Sequence, residues 1–172
     1  MRVSGALHLL PKNVQAAAYK AMKSTQHNRK AILNIYFPYT SRNEMSTAML
    51  DIAKAVKQGK LLESDVNPAV IEKCLFIGDL PPLEVLVRTS GEIRLSDFML
   101  WQVSENCLIH FTSVLWPEFS FWDLLKVIYS YQRNYKRIHK NKEMKAVNPE
   151  REHRISKFVE DLREKRMRVI IS

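Results

Sequence analysis

Several features that would place the sequence in a familiar protein class are missing from it. No apolar run approaches the roughly 18 residues of a membrane-spanning helix, and no secretory leader opens the chain. The sequence also contains no internal repeat and no low-complexity tract. Its two cysteines, Cys74 and Cys107, lack the spacing of a metal site, and each lies within an apolar run. We therefore expect one globular domain with two buried thiols, in a reducing compartment.

What the chain does contain is an uneven excess of positive charge. The formal net charge is +9, and residues 133–172 hold 13 Lys and Arg against 6 Asp and Glu, which is seven of the nine net charges. A basic segment of this kind can neutralise nucleic-acid phosphates or meet an anionic membrane surface. Here the cations alternate with glutamates and few aromatic residues are interleaved, which favours a solvated helix over a nucleic-acid interface.

Alternating strand and helix patterns indicate the fold class. Short, largely apolar runs predict four strands, and apolar residues at helical spacing predict helices between and after them. The predicted strands cover residues 1–5, 31–37, 83–87 and 107–112, and the predicted helices cover residues 11–25, 41–58, 68–76, 120–135 and 148–168. Strands separated by helices are typical of an α/β domain with a parallel β-sheet flanked by helices.

The stretch RTSGEIRLSDFMLWQ, residues 88–102, carries the candidate binding site. It follows the third predicted strand, and open parallel sheets bind ligands beyond the carboxyl ends of their strands. Arg88 and Arg94 present planar forks of N–H donors that match phosphate oxygens. Ser96 adds a hydroxyl, and either Ser96 or Asp97 is predicted to cap a helix whose N-terminus favours anions. Together these groups predict a diphosphate site.

A purely structural interpretation of the same residues stays open. Arg88 and Arg94 could pair with Glu92 and Asp97, which would give a salt-bridged turn that binds no ligand. Gly91 lies between the two arginines and would either take a positive φ or let the backbone pass close to a ligand. The position of the turn at the carboxyl end of a strand favours the anion site over the salt-bridged turn.

Four segments of the sequence resemble the cis-prenyltransferase family. They are LVRTSGEIRLSDFMLWQ, LWPEFSFWDLL, RVSGALHLLP and LNIYFPYTSRNEM, and the resemblance extends over roughly three quarters of the chain. A long block with two arginines at fixed positions is far more specific than a lone glycine motif. Within the family, the segments are most similar to the catalytic subunits of eukaryotic dehydrodolichyl diphosphate synthases. The implied fold is the α/β fold of undecaprenyl diphosphate synthases.

The resemblance implies a reaction and its ligands. Such enzymes condense isopentenyl diphosphate with a farnesyl-type allylic diphosphate, with the help of Mg²⁺, to make long-chain polyprenyl diphosphate for dolichol synthesis and protein glycosylation. The residues that match the family's isopentenyl diphosphate site are Arg88, Arg94 and Ser96. Residues that could support them are Gly91, Glu92 and Arg42. For Arg42, a solvated position in the first turn of its helix is an equal alternative. We assign no catalytic residue and no metal ligand.

Three departures limit what the resemblance carries over. The family's Asp-Gly-Asn-Arg-type motif, whose aspartate serves Mg²⁺, is absent. Cys107 stands where bacterial homodimeric relatives have a magnesium-binding glutamate. Residues 132–140 contain no Arg-X-Gly motif, as in eukaryotic subunits that borrow this motif from a Nogo-B-receptor-type partner. We therefore expect a carboxyl-terminal portion of a cis-prenyltransferase domain in residues 1–140, incomplete at its amino end and inactive alone, and a basic helical tail in residues 141–172.

Two other functions stay open. The chain could be a truncated, non-catalytic form that only binds a partner subunit, or, less in keeping with its tail, a basic nucleic-acid-binding module. The family resemblance implies instead a peripheral protein at the cytosolic face of the endoplasmic reticulum membrane, reached through the partner, with no nucleic acid bound. The interpretations differ in whether the loop after the third strand binds a diphosphate.

Overall fold

Two compact units make up the chain. The computed structural model describes residues 1–28, 30–78, 80–104, 106–139 and 148–171. One unit is built from Met1–Leu80 and Ala146–Ser172, and the other from Pro81–Lys145. The predicted boundary of the tail at residue 140 stays a prediction, because residues 140–147 lie outside the described part of the chain.

Parallel strands and intervening helices confirm the predicted α/β class. The elements, in chain order, are β1 (Arg2–Ser4), α1 (Lys12–Thr25), β2 (Asn34–Tyr36), α2 (Ser41–Lys57), α3 (Pro68–Cys74), β3 (Val85–Arg88), α4 (Leu100–Val103), β4 (Leu108–Phe111), α5 (Phe121–Ile138) and α6 (Pro149–Ile171). β1 pairs in parallel with β2 in the first unit, and β3 pairs in parallel with β4 in the second.

Local sequence explains where several helices begin and end. The side-chain oxygens of Thr40, Asn67 and Ser120 accept hydrogen bonds from backbone N–H groups in the first turns of α2, α3 and α5. Gly59 has a φ of +70° just after α2, a left-handed conformation that glycine adopts at helix ends without a steric penalty. The helices predicted over residues 41–58 and 120–135 are therefore confirmed, with their starts set by the caps at Thr40 and Ser120.

α6 is the predicted tail helix, but one of its faces packs into the first unit, so the helix is solvated only on its remaining faces. Four apolar residues on one face of the helix are buried: Ile155, Phe158, Val159 and Leu162. Asp65 is only 1% exposed, and its carboxylate accepts hydrogen bonds from Nη2 and Nε of Arg154 at 3.1 and 3.2 Å. Nε of Arg151 lies 3.6 Å from the same carboxylate. Two arginines of the helix thus face a buried acid of their own unit.

Burial departs from expectation in two places. β2 was expected to be a buried strand, but Ile35 within it is 36% exposed, and Ile32 and Leu33 just before it are exposed. Of the two thiols, Cys74 is fully buried, and desolvation raises its pKa to about 11. Cys107 is only half-buried, and desolvation raises its pKa as well. No helix in the described ranges has the length and apolar character needed to cross a bilayer.

Candidate functional site

The arginine that ends β3 is held by a serine eight residues later. Nη1 of Arg88 donates a hydrogen bond to Oγ of Ser96 at 3.0 Å. Thr112 N–H donates to the Arg88 carbonyl at 2.9 Å, which fixes the carboxyl end of β3 against the chain that follows β4. The structure therefore brings together two of the three predicted diphosphate-binding residues, at the predicted end of the strand.

The loop that joins them has an unusual backbone. Four non-glycine residues have positive φ angles between 48° and 72°, and they are Ser90, Ser96, Asp97 and Met99. Left-handed conformations are costly for residues with a Cβ atom, and clusters of them are typical of functional sites where the surrounding structure holds them. Backbone hydrogen bonds anchor the loop, because Ser90 N–H donates to the Val114 carbonyl and Gly91 N–H donates to the Thr112 carbonyl, both at 2.9 Å.

Gly91 fits the role that the sequence predicts for it. Its φ is +72°, in the left-handed region, and a Cβ atom placed there would come no closer than 3.9 Å to Ser113 Cα. A side chain at this position would therefore not clash with its neighbours. Glycine is favoured here because of the positive φ angle.

The predicted helix start at Ser96 or Asp97 is wrong. Both residues have left-handed backbone angles, and α4 begins only at Leu100 after a turn closed by Phe98 N–H and the Leu95 carbonyl. α4 is a four-residue helix, so it offers no N-terminal anion site at Ser96. The anion-binding capacity of the loop therefore does not come from a helix N-terminus.

Arg94 pairs within the loop. Its Nε lies 2.9 Å from Oε2 of Glu92, and the Arg94 side chain is 71% exposed. In the salt-bridged turn that the sequence left open, both arginines would pair with acids. Arg94 forms such a pair with Glu92, whereas Arg88 donates a hydrogen bond to the Ser96 hydroxyl. The 2.9 Å contact joins Nε of Arg94 to Glu92, so this ion pair orients the guanidinium within the loop.

Arg42 belongs to the other unit. It lies in the first turn of α2, exposed, next to the buried Ser41. Its part in the diphosphate site stays a prediction.

The described residues do not offer a fitting magnesium site. In the ranges that the structure covers, no three His, Cys, Asp or Glu side chains gather where they could hold a metal ion. Cys107 is a poor substitute for the glutamate of bacterial relatives, because desolvation raises its pKa and a neutral thiol is not the hard oxygen ligand that Mg²⁺ prefers.

The second unit also carries an exposed aromatic surface, defined by Trp116, Phe121, Trp122 and Tyr129. These side chains are between 62% and 73% exposed. Phe121 and Trp122 meet edge to face with ring centroids 5.8 Å apart, and Trp116 stacks on Phe119 at 6.1 Å. Exposed aromatic side chains this close together are typical of a protein interface.

Sequence reasoning missed a polar cluster in the same unit, formed by Glu84, Tyr131 and His139. The phenol of Tyr131 donates to Oε2 of Glu84 at 2.6 Å, and Nε2 of His139 lies 2.9 Å from Oε1. Glu84 lies 47 residues from Tyr131 and 55 residues from His139 along the chain, so no local motif joins it to them. The one local sign is that Tyr131, Tyr135 and His139 follow one another at four-residue spacing on α5.

Comparisons with known proteins show the family and the fold of the chain. The family model described as "Putative undecaprenyl diphosphate synthase" matches residues 1–139. The dehydrodolichyl diphosphate synthase complex subunit of Mus musculus is 45% identical over 146 residues, which are 85% of this chain and 44% of that protein. The corresponding subunit of Homo sapiens is 43% identical over 152 residues, which are 88% of this chain and 45% of that protein.

A solved structure shares the fold. The lavandulyl diphosphate synthase of Lavandula x intermedia, in complex with dimethylallyl diphosphate, superposes with a TM-score of 0.72 at 32% identity, over 76% of this chain and 56% of that one. The chain spans less than half the length of the two mammalian relatives. It belongs to the undecaprenyl diphosphate synthase-like family of prenyltransferases.

Proposed function

We propose that this protein serves as the catalytic type of subunit in a cis-prenyltransferase, which joins isopentenyl diphosphate to a farnesyl-type allylic diphosphate and builds long-chain polyprenyl diphosphate. Membership of the prenyltransferase family supports the reaction class. The relatives named as dehydrodolichyl diphosphate synthase complex subunits support a product of the dolichol pathway, used in protein glycosylation.

The observation that carries the proposal is the Arg88–Ser96 contact within a left-handed loop at the carboxyl end of β3. In the proposed reaction the isopentenyl double bond attacks the allylic carbon, the allylic diphosphate leaves with the C–O bonding electrons, and the isopentenyl unit loses a proton. The isopentenyl diphosphate group stays intact throughout and must be held still. A guanidinium already oriented by a hydroxyl suits that task, because little rotamer freedom is lost when the anion binds.

Arg94 would supply the second fork. Its ion pair with Glu92 holds the guanidinium within the loop, and its side chain is 71% exposed, where its N–H donors can meet phosphate oxygens. We therefore assign Arg88, Arg94 and Ser96 to the isopentenyl diphosphate group, with Gly91 and Glu92 supporting the loop.

Steady-state kinetics test this assignment in a version of the enzyme that also carries the family's amino-terminal half and is assembled with its partner. Arg88→Ala or Arg94→Ala should lower kcat/KM for isopentenyl diphosphate by roughly 30- to 1000-fold, which corresponds to ~2–4 kcal/mol for a lost charge-assisted contact. Lys126→Ala is the matched control, since it removes an exposed cation of the same unit that pairs with Asp123. Unchanged kinetics in both arginine variants would favour the salt-bridged turn and contradict the proposal.

The partner we propose is a subunit of the Nogo-B-receptor type, as the resemblance implies. The aromatic surface of the second unit supports a protein partner, because Trp116, Phe121 and Trp122 are largely exposed. The two mammalian relatives are themselves named as subunits of complexes. Mg²⁺ as cofactor, and peripheral attachment at the cytosolic face of the endoplasmic reticulum membrane through the partner, rest on the resemblance alone.

Nucleic-acid binding by the basic tail is not favoured. Besides the two arginines at Asp65, Arg166 of α6 donates to Asp51 at 3.0 Å and lies over the ring of Phe76. These cations are engaged within the first unit, so fewer of them are available to neutralise phosphates or anionic lipids.

A further inference from the structure

Glu84 is a junction between three elements of the second unit. It directly precedes β3, and its backbone carbonyl accepts a hydrogen bond from Leu108 N–H of β4 at 2.8 Å. Its side chain reaches α5, where Oε2 accepts from the Tyr131 phenol at 2.6 Å and Oε1 lies 2.9 Å from Nε2 of His139. The Glu84 carboxylate thus connects the carboxyl-terminal part of α5 to the start of β3.

The His139 ring lies between two groups that can only accept hydrogen bonds. Nε2 faces the Glu84 carboxylate, and Nδ1 lies 3.1 Å from the backbone carbonyl of Tyr135. A neutral imidazole has one N–H and can satisfy only one of them, whereas an imidazolium has two N–H donors and satisfies both. The ring also stacks on Tyr135 with centroids 4.1 Å apart, which fixes its orientation. The geometry is therefore complete only when His139 carries an extra proton.

Position on the helix favours the same protonation state. His139 is the C-cap residue of α5, and its backbone N–H donates to the Tyr135 carbonyl at 3.0 Å. Cations are stabilised at helix C-termini by the partial negative charge of the last carbonyl groups. Lys136 and Arg137 are further basic residues in this turn.

The partners of His139 keep one charge state around neutral pH. The hydrogen bonds from Tyr131 and His139 lower the pKa of Glu84, so this side chain is a carboxylate at neutral pH. The same carboxylate raises the pKa of Tyr131 to about 12, so the phenol stays neutral. On β4, which packs against α5, His110 is the titratable residue. Histidine is the side chain whose charge ordinarily changes between about pH 5 and 8.

We propose that Glu84, Tyr131 and His139 form a proton-operated latch, which fastens the last turn of α5 to the start of β3 when His139 is protonated and loosens as the pH rises. The sign follows from the charges. The protonated His139 ring donates hydrogen bonds to both the Glu84 carboxylate and the Tyr135 carbonyl. A neutral ring has one N–H, so one of these two contacts loses its donor. The latch is independent of the proposed enzymatic function.

Hydrogen exchange of the full 172-residue chain tests the latch. Protection factors of residues 134–139, corrected for intrinsic exchange, are compared at about pH 6 and about pH 8. The side chains of His139 and Glu84 are 36% and 46% exposed, so the pair should have the strength of a surface ion pair. Protection of the last turn should therefore be roughly 1.5- to 5-fold higher at the lower pH. Amides of α2, in the other unit, serve as the internal reference.

Three variants separate the latch from general effects of pH. In Glu84→Gln and His139→Gln the pH-dependent difference should disappear. In His110→Gln, the matched control on β4, it should persist. A pH-independent wild-type chain, a His139→Gln variant that keeps the wild-type difference, or a His110→Gln variant that loses it would each overturn the proposal. Glu84→Gln keeps the size of the side chain, and the wild-type comparison needs no variant at all.

Discussion

Replacement of Asp65 by alanine should weaken the packing of α6 against the rest of the first unit. Asp65 is 1% exposed and pairs with Arg154 on α6, and its Oδ2 also accepts from Leu62 N–H at 3.0 Å. Removal of one partner from a fully buried ion pair costs about 3–5 kcal/mol. Here the Arg151 and Arg154 side chains are 36% and 34% exposed, and water screens the charges left behind. We therefore expect about 2–3 kcal/mol.

The loss is measurable by hydrogen exchange in α6. A change of this size corresponds to a fall of roughly 30- to 150-fold in the protection of the α6 amides. Asp161→Ala is the matched control on the same helix, because the Lys60–Asp161 pair is about half exposed on both sides and should change protection less than about fivefold. All three tryptophans belong to the second unit, so their fluorescence follows that unit separately.

An acid titration provides a second test of the contribution of Asp65 to α6 packing. The hydrogen bond from Arg154 is the main cause of the lowered pKa of Asp65. Its stabilisation is therefore fully present above the unfolded-state pKa of about 4, and is lost as the pH falls through the lower folded-state pKa. The wild-type chain should lose α6 protection in this acid range, and Asp65→Ala should lack that component. Equal behaviour of Asp65→Ala and Asp161→Ala would refute the reasoning.

Three further changes have definite expected outcomes. Gly91→Ala, which places a Cβ atom at a φ of +72°, should lower stability by about 1 kcal/mol, measured as a shift in the urea midpoint. Trp122→Lys, on the aromatic surface, should abolish co-elution with the partner subunit, whereas Lys126→Ala should not. The hydrogen bond from the Ser120 hydroxyl is the main cause that lowers the pKa of Asp123 to about 2. The contribution of Asp123 to the α5 cap should therefore persist above about pH 4 and vanish as the pH approaches 2. Helicity measured against pH checks this, with Asp123→Asn as the variant that should not respond.

Local chemistry made much of the fold predictable. Threonine and serine before an apolar periodic run are strong helix-start signals, and Thr40 and Ser120 cap α2 and α5 where the predicted helices begin. The arginine at the end of β3 and the glycine in its loop were also found from the sequence, because strand ends and positive φ angles have local signatures. Apolar runs gave the strands, although each is shorter than predicted.

The errors come from tertiary context. Ser96 and Asp97 have the composition of a helix cap, but the surrounding loop holds both in left-handed conformations and delays α4 until Leu100. The Asp65–Arg154 and Glu84–His139 contacts join residues far apart in the chain, and a single sequence does not reveal such pairs. The packing of α6 was readable in part, because its buried apolar residues follow helical spacing within the charged tail.

A direct binding measurement with isopentenyl diphosphate tests the central claim, which is that the loop after β3 binds a diphosphate. Titration calorimetry of the 172-residue chain would compare isopentenyl diphosphate with isopentenyl monophosphate and isopentenol, for the wild type and for Arg88→Ala, Arg94→Ala and Lys126→Ala. We predict that the wild type and Lys126→Ala bind the diphosphate in preference to the other two ligands. Each arginine variant should bind it at least about 10-fold more weakly, as expected for loss of a charge-assisted hydrogen bond. Absence of binding by the wild type, or equal affinity in the arginine variants, would contradict the claim.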